Sequence, residues 1–275
     1  MRWNRKLFSL LPGVTPRRLI TTLLRIARAI EDSLPLIQRA DASFMPKAAC
    51  VSCHNNSFAA MAVSAARSRG FQVDEKTAAQ QVEANVFGLE KMRDILRQGF
   101  MIPVEDYFGP SVVSYMLIGL DAERYKPDLN TDAAAMFLKN RQSPDGQWIY
   151  PAADIRPPIC SDYIGQTALS MRALQLYTPN TADKAAYADA IEKALTWILN
   201  TKSRGNDDRA WRVAALAWGG NHKEAAQSAL RELLATQKAD GGWSDIDSMD
   251  TGVYATGRAL YALQVAGVPA SNTAY

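Results

Sequence analysis

Cys50-Val51-Ser52-Cys53-His54 places three of the chain's five scarcest ligating residues (three Cys and two His) within five positions. Two thiols three residues apart can form thioethers to the two vinyl groups of a haem. The adjacent imidazole is then held beneath the iron as proximal ligand. The spacing therefore predicts a covalent haem c on Cys50 and Cys53, with His54 as the metal ligand. Other chemistries compete for the same residues. Zinc accepts Cys and His, but no fourth ligand is evident and the adjacency of Cys53 and His54 strains a tetrahedron. A thioredoxin-like redox pair needs a βαβ setting, which the flanking sequence lacks. Coincidence, with no ligand held, is the remaining reading.

The other axial position decides what an iron does there. His222 is the one further His, and it falls near an expected helix turn. Met61 is seven residues past His54 and shares its helix face, but it does not easily reach across the ring. Met116, Met171 and Met249 fall on or at the start of apolar helices and could face a cavity, although a Met at such a place is more often core than ligand. A bound Met favours electron transfer, whereas an open position favours binding of a small gas or peroxide. Haem attachment implies a periplasmic or other extracytoplasmic compartment, yet residues 7–14 make a poor export signal because Pro12 interrupts them. Without haem the chain reads as cytoplasmic.

The elements that must position these residues are helices. Apolar residues recur with helical period in nearly every long segment. The periodicity predicts helices over 17–41, 54–69, 74–98, 110–120, 130–140, 162–176, 182–200, 207–218, 222–236 and 250–266, with Pro35 dividing the first. Helices 162–176 and 207–218 are apolar nearly all round and should be buried. Helices 74–98, 182–200 and 222–236 carry a charged face and should lie outside. Asp162 and Asp250 read as N-caps, and the pair Asp207-Asp208 reads as a cap of helix 207–218.

A repeat underlies the pattern. Gln142 to Trp148 and Gln237 to Trp243 both read Gln-x-x-x-Gly-x-Trp. Each copy leads to an Asp, at 162 and 250, and then to Ala-Leu-Gln, at 173–175 and 262–264. An unrecognisable copy between them would make the unit a helix pair of about 45–48 residues.

These motifs, with the Asp-Gly-Gly-Trp turn and the alternating helices, resemble the squalene-hopene cyclase and protein prenyltransferase superfamily over roughly residues 30–275. The resemblance implies an all-α toroid of about five helical hairpins in two concentric layers, incomplete or open relative to a six-hairpin barrel. Residues 1–30 then form a basic helical extension and 31–275 the toroid domain. In that superfamily the Gln and Trp of each motif tie outer helices together, which makes Gln142, Trp148, Gln237 and Trp243 structural. The cyclases protonate an alkene with the middle Asp of Asp-x-Asp-Asp-Thr. Here Asp247-Ser248-Met249-Asp250-Thr251 has Met249 at that place, and a thioether donates no proton. The prenyltransferases hold zinc with an Asp, a Cys and a His. Cys160-Ser161-Asp162 reverses the required order. Tyr115, Tyr163, Trp211, Trp218 and Tyr254 could line a cavity or fill a core. Segments like Ala49 to Asn56 also resemble haem-binding segments fused to squalene-cyclase-like repeats in some bacterial proteins.

The expected function is thus a haem-bearing toroid for electron transfer, redox chemistry or sensing, with no catalytic side chain assigned. The alternatives are an enzyme acting on isoprenoids and a scaffold for a hydrophobic ligand. A redox partner or small hydrophobic ligand is the expected partner. With 48% hydrophobic and 21% charged residues, the chain has ample material for a core. A net charge of +3 does not argue for nucleic acid. No run reaches the roughly 18 apolar residues of a membrane-spanning helix. Residues 1–30 hold seven basic residues and no acid, which makes contact with a membrane surface a further expectation.

Overall fold

A computed structural model describes residues 16–48, 56–100, 109–149, 163–180 and 183–275. Among them the chain forms ten helices and no strand: α1 Pro16–Ala48, α2 Phe58–Ser68, α3 Glu75–Arg97, α4 Gly109–Ala122, α5 Leu129–Asn140, α6 Tyr163–Tyr177, α7 Lys184–Asn200, α8 Asn206–Gly219, α9 Lys223–Leu234 and α10 Val253–Val265. All ten fall where the apolar periodicity predicts them. The all-α class is therefore observed.

Polar caps set several boundaries. Asp74 opens α3 by accepting hydrogen bonds from the N–H groups of Lys76 (3.0 Å) and Thr77 (3.2 Å). Asp128 and Thr131 form a reciprocal capping box at the start of α5.

Some expectations are corrected. Pro35 does not divide the first helix, because α1 runs unbroken through it. Pro35 is exposed, so the Glu31 carbonyl that loses its donor faces water. The neighbours Leu34 and Gln38 are buried and anchor the helix on either side. Asp250 is not a cap, since Gly252 holds the N-cap position of α10 in extended backbone. Gly205 likewise caps α8, with Asp207 and Asp208 in the first turn.

Burial alternates along the chain. α4 buries every residue from Gly109 to Leu120 except Val112, whereas α9 buries only Ala229 and Leu233. The even-numbered helices pack in succession: α2 on α4, α4 on α6, α6 on α8 and α8 on α10. Among the odd-numbered helices, α1 packs on α3 and α3 on α5. One continuous core runs from Leu89 of α3 to Ala274, with the aromatic rings of Phe137, Trp148, Tyr177 and Trp243 inside it.

Candidate functional site

The turns that follow α5 and α9 are built alike. Trp148 and Trp243 are fully buried. Each indole N–H donates to a carbonyl ten residues earlier, Leu138 at 2.8 Å and Leu233 at 3.0 Å. Each Trp backbone N–H donates to a Thr hydroxyl on the following helix, Thr167 at 3.1 Å and Thr256 at 3.0 Å. The Gln residues close both turns and reach outward. Gln142 donates to the carbonyls of Gly146 and Ala190, both at 2.8 Å. Gln237 donates to Gly241 at 2.7 Å and Ala274 at 3.0 Å. Gln142 and Gln237 therefore tie each turn to a distant segment, and all four motif residues serve structure.

The intervening connection, α7 to α8, lacks the motif and uses Arg212 instead. Its guanidinium donates to the carbonyl of Leu199 at 2.8 Å and to that of Thr201, satisfying acceptors at the end of α7.

These connections position the even-numbered helices around one cavity of about 650 Å³. α2 contributes Phe58, Met61, Ala62 and Ala65, and α4 contributes Ile118 and Asp121. Arg172 and Leu176 come from α6, Trp218 from α8, and Tyr254, Arg258 and Tyr261 from α10. The wall is mostly apolar with a few charged groups, as in a small-molecule site.

Arg258 is the most connected of these groups and had no signal in the repeat. It is buried, yet its guanidinium lies 3.9 Å from the Trp211 ring centroid and 5.3 Å from that of Phe58. It donates to the Tyr254 hydroxyl at 2.7 Å and sits 3.5 Å from Asp207. Burial alone would pull its pKa down. The Tyr115 and Tyr254 oxygens and the Asp207 carboxylate together hold it above the usual arginine value, so it stays charged. Arg258 thereby joins α10 to α8 and also to Phe58 of α2. On the facing wall, burial raises the pKa of Asp121, and the charge of Arg172 draws it partly back.

Cys50, Cys53 and His54, the residues expected to attach a haem, lie outside the described residues, as do Cys160 and Asp162 and the side chain of Tyr163. The described chain resumes at Asn56, two residues after His54. Asn56 is buried and donates to Asp41 of α1 at 2.5 Å. Burial raises the Asp41 carboxyl to about 7, against the opposing pull of that hydrogen bond. α2 follows at once, and its first residue, Phe58, already lines the cavity and packs edge-on against Tyr115 at 4.7 Å.

The methionines separate. Met61 lines the cavity. Met116 and Met171 take the core role, the commoner one for such residues; they are fully buried and do not line the cavity, because α4 and α6 pack on both sides. Met249 is 37% exposed and stands before α10 rather than on it. Its carbonyl accepts from Lys238, and Thr251 donates to Asp240 at 3.0 Å. The turn of the second motif thus holds 249–251 at the surface. Asp247 and Asp250 are exposed as well, so no part of this Asp-rich stretch lines the cavity. His222 caps α9, away from the cavity. Among the aromatics, Trp218 and Tyr254 line the cavity, while Tyr115 and Trp211 lie in the core behind it. Among the described residues, no cluster of three or more His, Cys, Asp or Glu could hold a metal ion.

No protein-family model matches the chain, and no curated protein and no solved structure matches it either.

Proposed function

We propose that this chain is a c-type haem protein built on an α/α toroid of the squalene-cyclase type. Cys50 and Cys53 would carry the haem and His54 would ligate its iron. The observation that carries the reading is the join between motif and cavity. The Cys-x-x-Cys-His segment runs within four residues into α2, and α2 lines the cavity with Phe58, Met61, Ala62 and Ala65. The residues present suit the group. The small Ala62 and Ala65 let a planar macrocycle approach the helix, and the cavity offers an apolar wall with Arg172 as a cation for carboxylate substituents. When bound, the haem supplies a reversible one-electron change or a site for a small diatomic ligand at iron.

The chain's own groups shape that chemistry. Asn56, clamped to Asp41, fixes the start of α2 relative to α1. Met116, Met171 and Met249 are withdrawn from the cavity, which leaves Met61 as the one candidate Met among the described lining residues. An iron ligated by His54 alone would be open to carbon monoxide. Such a protein acts in electron transfer, redox chemistry or sensing, in an extracytoplasmic compartment and with a redox partner.

The toroid reading draws on the succession α2, α4, α6, α8, α10 around one cavity and on the reach of Arg258 back to Phe58. Five hairpins, α1–α2 to α9–α10, would supply the two layers. The cavity also supports a second reading, a scaffold for a small hydrophobic ligand. Cyclisation of isoprenoids has less support, because the proton-donor position is Met249 and its acidic neighbours face solvent.

Expression of the full chain together with haem-maturation machinery tests the proposal. The expected product has a Soret band and keeps its peroxidase staining through denaturing electrophoresis. A colourless product would overturn it.

A further inference from the structure

α1 carries a stripe that is apolar from Ile20 to Leu34, and only the second half of the stripe is buried. Ile20, Leu23, Ala27, Ile30, Leu34, Gln38 and Asp41 follow at spacings of three and four, so they share a face. Leu34, Gln38 and Asp41 are buried against the body of the protein. Gln38 both donates to the Asp74 carbonyl at 2.8 Å and accepts from its N–H at 2.9 Å. Upstream, no described side chain from Arg17 to Ser33 is buried. Ile20 is 42% exposed, Leu24 60% and Ile26 51%. Leu23, Ala27 and Ile30 are half-buried, so about 22 Å of amphipathic helix, at 1.5 Å per residue, extends with its apolar face only partly covered.

Charge says what covers it. Arg17, Arg25 and Arg28 are all exposed, and at 100° per residue they fall within roughly 80° of one another on the polar side of the helix, with Arg17 flanking the apolar stripe and Arg25 opposite it. Arg28 is paired with Asp32 at 3.0 Å, which leaves Arg17 and Arg25 as the free cations of this segment among the described side chains. Residues 1–30 hold seven basic residues and no acid. A second copy of the same segment would be repelled, whereas an anionic surface is attracted. Among the described residues no helix is long and apolar enough to cross a membrane. A helix with an apolar face and a basic polar side lies in the lipid interface rather than across it.

We propose that residues 16–30 form a docking helix for an anionic lipid surface, with Ile20, Leu23, Leu24 and Ile30 entering the acyl boundary and Arg17 and Arg25 meeting the headgroups. The proposal is independent of the haem.

The test is co-sedimentation of the full chain with two kinds of vesicle, phosphatidylcholine alone and phosphatidylcholine mixed with phosphatidylglycerol. Binding is expected to the mixed vesicles and to weaken as salt rises. Arg17→Glu with Arg25→Glu should weaken it at least about tenfold, since each basic residue near such a surface contributes roughly that order of attraction per unit charge or two. Leu24→Asp should weaken it too. All three positions are exposed, so the far-ultraviolet circular dichroism of the variants should be unchanged. Equal binding to both vesicles, or to neither, would overturn the proposal. So would a dimer by sedimentation velocity that Leu24→Asp dissociates, because the face would then belong to a second copy.

Discussion

The guanidinium of Arg258 stacks 3.9 Å from the Trp211 ring centroid, and the same group lies 3.5 Å from Asp207. One α10 side chain therefore neutralises a carboxylate of α8 inside the protein and stacks on its indole. Removing it would strand Asp207, whose side chain is only 13% exposed. Arg258→Met should cost about 3 kcal/mol, the lower end for breaking a buried pair from one side. Adding Asp207→Asn should recover part of that loss. Urea unfolding of both variants measures it, and equal stability of Arg258→Met and the unchanged protein would refute this role.

The two motif turns make unequal demands on their glycines. Gly146 has φ 103° and Gly241 has φ 88°, so a side chain is strained at both. They differ in space. A Cβ at Gly146 would run into the Lys193 carbonyl on α7, while one at Gly241 would meet nothing within 4 Å. Gly241→Ala should cost about 1–2 kcal/mol, from backbone strain alone. Gly146→Ala should cost clearly more or abolish folding. Thermal unfolding of the pair decides, and equal effects would contradict the difference.

Trp148→Phe and Trp243→Phe each remove one indole N–H and leave a buried carbonyl, at Leu138 or Leu233, without that donor. Each should cost about 1 kcal/mol for the lost bond, because the Leu138 carbonyl keeps the Arg141 N–H and the Leu233 carbonyl keeps Thr236. The two should be similar, because the networks around them are alike. A silent substitution at either Trp would show that the indole bond contributes nothing there.

Much of this architecture was legible in the sequence because it rests on local rules. Helical period located all ten helices, and the spacing of Gln142 to Trp148 and Gln237 to Trp243 marked the turns. Other features depended on contacts that span the fold. Arg258 carries no motif, and only folding brings Trp211, Tyr254, Phe58 and Asp207 around it. Thr167 and Thr256 were equally silent, although each takes a Trp backbone N–H. Asp250 looked like a cap by its type and place. The hydrogen bonds from Lys238 to the Met249 carbonyl and from Thr251 to Asp240 hold that segment at the surface and pass the cap to Gly252. For Cys50, Cys53 and His54, which lie outside the described residues, spacing alone carries the proposed chemistry.

Asp41 should make stability depend on pH. Burial raises its folded pKa to about 7, against about 3.9 for an unfolded Asp. The folded state thus binds the proton more tightly, and its contribution is fully present below about pH 4. It is lost progressively as pH rises from there through about 7. Asp41→Asn should flatten that part of the profile. Denaturant unfolding between pH 4 and 8 checks it, and an unchanged slope in the variant would assign the dependence to another group.

The central claim is that Cys50 and Cys53 hold a haem covalently. Intact-mass spectrometry of the denatured full chain, made with haem-maturation machinery, tests it most directly. The account predicts the polypeptide mass plus one haem, lost when Cys50 and Cys53 are both changed to Ser. The bare polypeptide mass from the unchanged chain would contradict it.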